Sequence, residues 1–139
     1  MEFIKKLIDR KNVKYIMSVL IVYAIFTESI TIYAVYNYIS LVRVANPISS
    51  GLFFTILMSV ILTPLIYIIA YLISLFLINK NKTAGYLISG IVAVLIFFNS
   101  IDQLTKNHIQ YTISMLPGTI FWVVLIVSSF WARIKLKKD

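Results

Sequence analysis

Apolar and polar positions divide the chain into four long apolar blocks separated by short charged stretches. The first runs from Tyr15 to Val42 and is interrupted only by Glu28. The second runs from Gly51 to Asn79 and carries no charge. The third starts at Thr83, stays free of charge to Ile101, and is expected to continue as helix to residue 104. The fourth runs from Tyr111 to Ala132. None keeps the period-two alternation of a lipid-facing strand, which excludes a transmembrane barrel. An α-helix crosses the hydrocarbon core in ~20 residues. The pattern therefore predicts spans over 15–42, 51–79, 83–104 and 111–132. At ~1.5 Å per residue the first two are about 42–44 Å long, so they must tilt or project beyond the hydrocarbon.

Ahead of the first span, Phe3, Ile4, Leu7 and Ile8 share one helical face, and Lys5, Lys6, Asp9 and Arg10 occupy the rest. That pattern predicts a short interfacial amphipathic helix over 1–14. The apolar block behind it is far longer than the ~7–15 residues of a cleavable signal's core. The expected fold class is all-α: one four-helix transmembrane domain spanning 1–139.

Composition sharpens this picture. Hydrophobic residues make up 60% of the chain and charged residues 13%, against about 45–50% and about 25% in soluble domains. With a mean hydropathy of +0.93, too little polar surface exists to face water. A water-soluble enzyme, a disordered tail and a nucleic-acid module are excluded. The net charge of +8 sits at block ends, where it meets anionic lipid head groups on the cytoplasmic side.

The same charges set the orientation. Lys5, Lys6, Arg10, Lys11, Lys14, Lys80, Lys82, Arg133, Lys135, Lys137 and Lys138 fall on one side, and only Arg43 and Lys106 on the other. The positive-inside rule then puts both termini in the cytoplasm of a cell-membrane, multi-pass protein. Tyr15, Tyr86 and Trp131 fall at the inner interface of that arrangement, and Tyr36, Tyr38, Tyr111 and Trp122 at the outer one.

Chemistry is sparse. There is no cysteine, and His108 is the only histidine. No metal site or cofactor is expected, and no nucleophile elbow, phosphate loop or metalloprotease motif occurs. The chain reads as non-enzymatic. Glu28 is the informative residue, since it lies midway along the first span. A charged side chain at that depth costs ~2.5–3.5 kcal/mol, which favours the neutral acid. Two readings follow: a carboxyl that couples protons or cations, or a neutral acid that bonds a neighbouring helix.

In the second span Thr55, Ser59, Thr63, Tyr67 and Tyr71 recur every four residues, with Ser74 three further on. This spacing keeps them on one face. Thr63 and Tyr67 match the depth of Glu28. Pro64 removes a helical donor and crowds the carbonyl of Val60, so a kink is expected there. Glu28, Thr31, Thr63, Pro64 and Tyr67 form a candidate midplane polar site. In the third span Gly85, Ser89 and Ala93 make a small-residue stripe for close helix packing. Asn99, Asp102 and Lys106 make a candidate polar cluster at the outer mouth. Asp102 and Lys106 are spaced for an i, i+4 pair.

The stretch Ala24-Ile25-Phe26-Thr27-Glu28-Ser29-Ile30 resembles the first span of the small multidrug resistance transporters. Those are four-helix proteins whose membrane-embedded glutamate exchanges protons for a cationic substrate. The resemblance implies that Glu28 is a coupling residue. Glu28-x-x-Thr31 followed by Ala45-Asn46-Pro47 is similar to the first hairpin of a group of small four-span prokaryotic proteins without assigned activity.

The leading expectation is a non-catalytic accessory subunit that packs against other membrane proteins. Immunity towards a membrane-active peptide belongs to the same class. The alternative is a small proton-coupled transporter or channel, homo-oligomeric, that uses Glu28. Water access to Glu28 separates them.

The orientation is directly testable. Reporter fusions at residue 139 and in the Lys80–Lys82 loop should report cytoplasm, and fusions near Asn46 and His108 the outside. A lumenal or periplasmic C-terminus overturns either the span count or the charge argument.

Overall fold

The computed structural model describes residues 9–45, 50–106 and 109–137. They form four helices: α1 (Arg10–Ala45), α2 (Ser50–Asn79), α3 (Ala84–Lys106) and α4 (Ile109–Lys137). Each contains a segment long and apolar enough to cross a membrane: Arg10–Leu41, Gly51–Asn79, Ala84–Ile101 and Gly118–Leu136. The chain is an all-helical, multi-pass membrane protein. Of the region expected as an interfacial helix, residues 1–8 lie outside the described residues. Arg10–Lys14 belong to the first turns of α1 rather than to a separate helix.

The helices run up, down, up and down. α1 packs on α2, α2 on α3, and α3 on α4, with a thinner contact between α4 and α1 closing the ring. The turn between α2 and α3 marks one end, here the turn end. The start of α1 lies beside it, because the Lys14 ammonium donates to the Asn79 carbonyl at 3.0 Å and to the Asn81 side chain at 3.4 Å. Lys14 thereby offsets the negative end of α2.

Asn81 explains why the turn is so short. It adopts a φ of 58°, a left-handed conformation that asparagine tolerates better than most residues. Its amide bonds to the Ile78 carbonyl at 2.9 Å, and the Lys82 amide to the Leu77 carbonyl at 2.9 Å. This is the Schellman pattern that closes a helix end.

Packing is uneven along the bundle. The seam of α1 is Val13, Met17, Ile21, Ala24 and Glu28, spaced by three and four. On α4 the seam is Trp122, Leu125, Ser129, Ala132 and Leu136. The hydroxyl stripe of α2 is buried only in its later part, at Tyr71 and Ser74, followed by Ile78. Nearly all of these lie in the half towards the turn end. There α3 supplies small residues, as its stripe requires: Gly85, Ser89 and Ala93 are buried.

Gly85 shows why size matters. A Cβ there would stand 2.6 Å from the Ser74 carbonyl oxygen and 2.9 Å from the Ile78 amide. Only the absent side chain allows α3 so close to α2. The Ser74 hydroxyl donates to the Gly85 carbonyl across this contact. On the opposite side Ser89 and Ser129 share a hydrogen bond of 3.0 Å, joining α3 to α4.

Two expected interface aromatics lie instead in the packed bundle. Tyr86 is 3% exposed and Trp122 is 7% exposed. Depth along the chain does not fix the side of the helix, and both point inward. Tyr15, Tyr36, Tyr38 and Trp131 are exposed to the surroundings.

Gly85→Ala should destabilise the protein in detergent by ~1–3 kcal/mol, because the new methyl overlaps backbone atoms. This outweighs the ~1 kcal/mol gain in helix propensity. Gly51→Ala meets no atom within 4 Å and should be neutral or slightly stabilising. Thermal unfolding of both variants checks the contrast; equal melting temperatures would contradict the close approach.

Candidate functional site

Beyond the packed half the helices border an open cavity of about 510 Å³. Every helix contributes to its wall. α1 supplies Tyr23, Thr27, Glu28, Thr31 and Val35. α2 supplies Val60, Thr63, Pro64 and Tyr67. α3 adds Ile96, Asn99 and Ser100, and α4 adds Gly118, Phe121 and Trp122. On each helix these residues are those of the middle and of the half away from the turn end.

Glu28 stands where the two regimes meet. It is the last residue of the buried α1 seam and is 7% exposed, yet it lines the cavity. One turn before it, Ala24 is fully buried. About one turn beyond it, Thr31 is exposed, and its hydroxyl donates to the Thr27 carbonyl at 3.1 Å. The Thr27 hydroxyl donates to the Ala24 carbonyl at 2.8 Å. These threonines satisfy themselves on their own helix, as hydroxyls in spans commonly do.

Glu28, Thr31, Thr63, Pro64 and Tyr67, the midplane residues singled out by sequence, all line this one cavity. Among the described residues no hydrogen bond joins Glu28 to Thr31, Thr63 or Tyr67; the Tyr67 oxygen instead accepts from the Asn99 side-chain amide at 2.9 Å. Pro64 is buried within an otherwise continuous α2. It leaves the carbonyl of Val60 without a helical donor, and Val60 is on the cavity wall.

Asn99, one of the three residues of the expected outer-mouth cluster, lines this cavity. The side chains of Asp102 and Lys106 lie outside the described residues, as do those of Ser59, Tyr111, Pro117 and His108. Thr55 bonds the Gly51 carbonyl on its own helix at 3.0 Å. Gly85, Ser89 and Ala93 serve packing in the turn half.

Sequence reasoning missed the aromatic floor of the cavity. Tyr23 meets Phe121 edge-on at 4.8 Å between ring centres, and Phe121 meets Trp122 at 4.9 Å. Tyr23 is five residues before Glu28, so spacing alone did not attach it to the site. Ser129 was also missed, although Ser128-Ser129 is the only serine pair in the fourth span.

The arrangement combines one carboxyl, amide and hydroxyl groups, and three aromatic rings in a space of ligand size. It can hold a cation against a carboxylate and ring faces, and it can hold water that exchanges a proton with Glu28. Among the described residues no group of three metal-ligating side chains forms. No protein-family model, curated protein or solved structure matches the chain.

The Asn99–Tyr67 bond should register in a double-mutant cycle of Asn99→Ala and Tyr67→Phe. The expected coupling is ~0.6 kcal/mol and at most about 1.7 kcal/mol, the span measured for hydrogen bonds between membrane helices. Strictly additive losses in thermal stability would mean that the two side chains do not bond.

Proposed function

We propose that the chain is a small, non-enzymatic, proton-coupled membrane transporter or channel that uses Glu28. One observation carries this reading. Glu28 lies on the wall of a cavity of about 510 Å³ rather than inside a dry seam. A carboxyl that merely glued two helices together would be expected to bond a neighbouring hydroxyl, and among the described residues Glu28 bonds neither Thr31, Thr63 nor Tyr67. An intramembrane acid facing a cavity of mixed polar and apolar wall has the access a coupling group needs.

In this reading the protein sits in the cell membrane with both termini in the cytoplasm. The basic residues of the turn end, among them Arg10, Lys14, Lys80, Lys82 and Arg133, face anionic lipid head groups. The cavity then lies in the middle and outer half of the bilayer, and the packed half closes it from the cytoplasm. Its size suits a small ligand held against Glu28, Trp122 and Phe121. The resemblance of Ala24–Ile30 to the small multidrug resistance transporters points the same way.

An accessory subunit is the second reading. The evenly apolar surface of α2 supports it, with Phe54, Leu62, Ile66, Ile69 and Phe76 exposed. Such a surface meets lipid or another membrane protein equally well. Stoichiometric co-purification with foreign subunits in mild detergent would favour this reading, and a homo-oligomer would favour the transporter.

The deciding measurement is the Glu28 carboxyl C=O band in infrared difference spectra of reconstituted protein from about pH 5 to about pH 9. We expect a band that titrates within this range and is missing in Glu28→Gln. Glu28→Gln should keep the fold, since the amide retains shape and hydrogen-bonding capacity, but abolish any proton-coupled flux. A carboxyl band that stays protonated throughout would refute proton coupling.

A further inference from the structure

The packed half holds one anomaly. Tyr71 is 0% exposed, and among the described residues its hydroxyl is the buried side-chain polar atom with no hydrogen-bond partner. Leaving such a group unpaired is costly, because it has given up water without gaining an acceptor. The buried serine hydroxyls nearby are satisfied: Ser74 donates to Gly85, and Ser89 and Ser129 bond each other. On α2, Tyr71 lies one turn towards the packed half from Tyr67 on the cavity wall.

Helix geometry tilts this hydroxyl towards the depth of Glu28. Side chains lean towards the N-terminus of their own helix. In α2 that direction runs away from the turn end, so Tyr71 leans towards the cavity. In antiparallel α1 it runs towards the turn end, so Glu28 leans towards Tyr71. α1 packs on α2, so a hydroxyl without an acceptor and an acid without a donor lean towards each other along that contact.

We propose that Tyr71 is a positioning residue for Glu28: its hydroxyl donates to the Glu28 carboxylate when the acid ionises, and this links the protonation of the cavity to the packing of the turn half. The inference rests on the proton-coupled reading of Glu28. When Glu28 loses its proton, the O–H bond of the acid breaks and the proton leaves into cavity water. The carboxylate becomes a pure acceptor. A charge-assisted bond from Tyr71 is stronger than a neutral one, and the Tyr71 O–H bond stays intact. Because Tyr71 is wholly enclosed, its ring cannot turn towards Glu28 without disturbing the seam around it.

The groups facing Glu28 limit the alternatives. The titratable side chains around it are Tyr23 on α1 and Tyr67 and Tyr71 on α2; the cavity walls of α3 and α4 add the neutral Asn99, Ser100 and Trp122. Tyr67 accepts from the Asn99 amide, a bond that does not commit its own O–H. Tyr71 differs in being fully buried with no partner at all.

The test uses full-length protein in lipid vesicles and the acid-minus-alkaline infrared difference spectrum. A tyrosine ring signal should accompany the Glu28 carboxyl band. It should disappear in Tyr71→Phe and in Glu28→Gln, and persist in Tyr67→Phe. Carbon-13 labelling of tyrosine at position 71 alone, in otherwise native protein, should shift the signal, which covers the case of a Tyr71→Phe variant that does not fold. A signal that survives Tyr71→Phe, ignores the label, or is absent while the carboxyl band titrates overturns the role of Tyr71 and leaves proton coupling standing. A carboxyl band that never titrates overturns both.

Discussion

In a bilayer the usual driving force for folding is missing, because lipid tails are as apolar as the side chains they would replace. Helices stay together only where their surfaces fit closely or exchange hydrogen bonds. In this protein that fit is made at Gly85, where α3 comes so near α2 that a methyl group would overlap the Ser74 carbonyl. The Ser74 hydroxyl and the Ser89–Ser129 bond fasten the same region to helices on either side. Everything else in the bundle follows from how far this close packing extends.

It extends through half of the bundle. Towards the turn end the seams carry Ala24, Ser74, Gly85, Ser89, Ala93, Ser129 and Ala132, all buried. Small side chains let backbones approach, and the interior is filled by neighbouring helices. Beyond Glu28 the wall mixes small residues such as Gly118 and Ser100 with the larger Val35, Val60, Tyr67 and Asn99. There the helices stand further apart, and a cavity remains.

That boundary also explains how an acid is tolerated at midspan. Glu28 occupies a seam position by periodicity, four residues after Ala24 and eleven after Met17. In the packed half the same residue would have no room and no water. At the edge of the cavity it is largely covered, yet one side opens to amide and hydroxyl groups. Pro64 adds to this polarity by leaving a carbonyl without its helical donor.

That the chain carries four helices long and apolar enough to cross a membrane was legible from hydropathy alone, because the lipid core imposes a minimum apolar length and demands internally paired backbones. Counting along the helices was also enough to group Glu28, Thr31, Thr63, Pro64 and Tyr67, which line one cavity. The packing role of Gly85, Ser89 and Ala93 followed from their spacing. Counting does not give the rotation of one helix against another. Only the tertiary structure decided that Tyr67 meets Asn99 of α3, that Trp122 and Tyr86 turn inward, that Ser129 is the partner of Ser89, and that Tyr71 is buried without one. These contacts join residues far apart in the chain, where the register is set by the closest approach of two helix surfaces and leaves no periodic mark on the sequence of either.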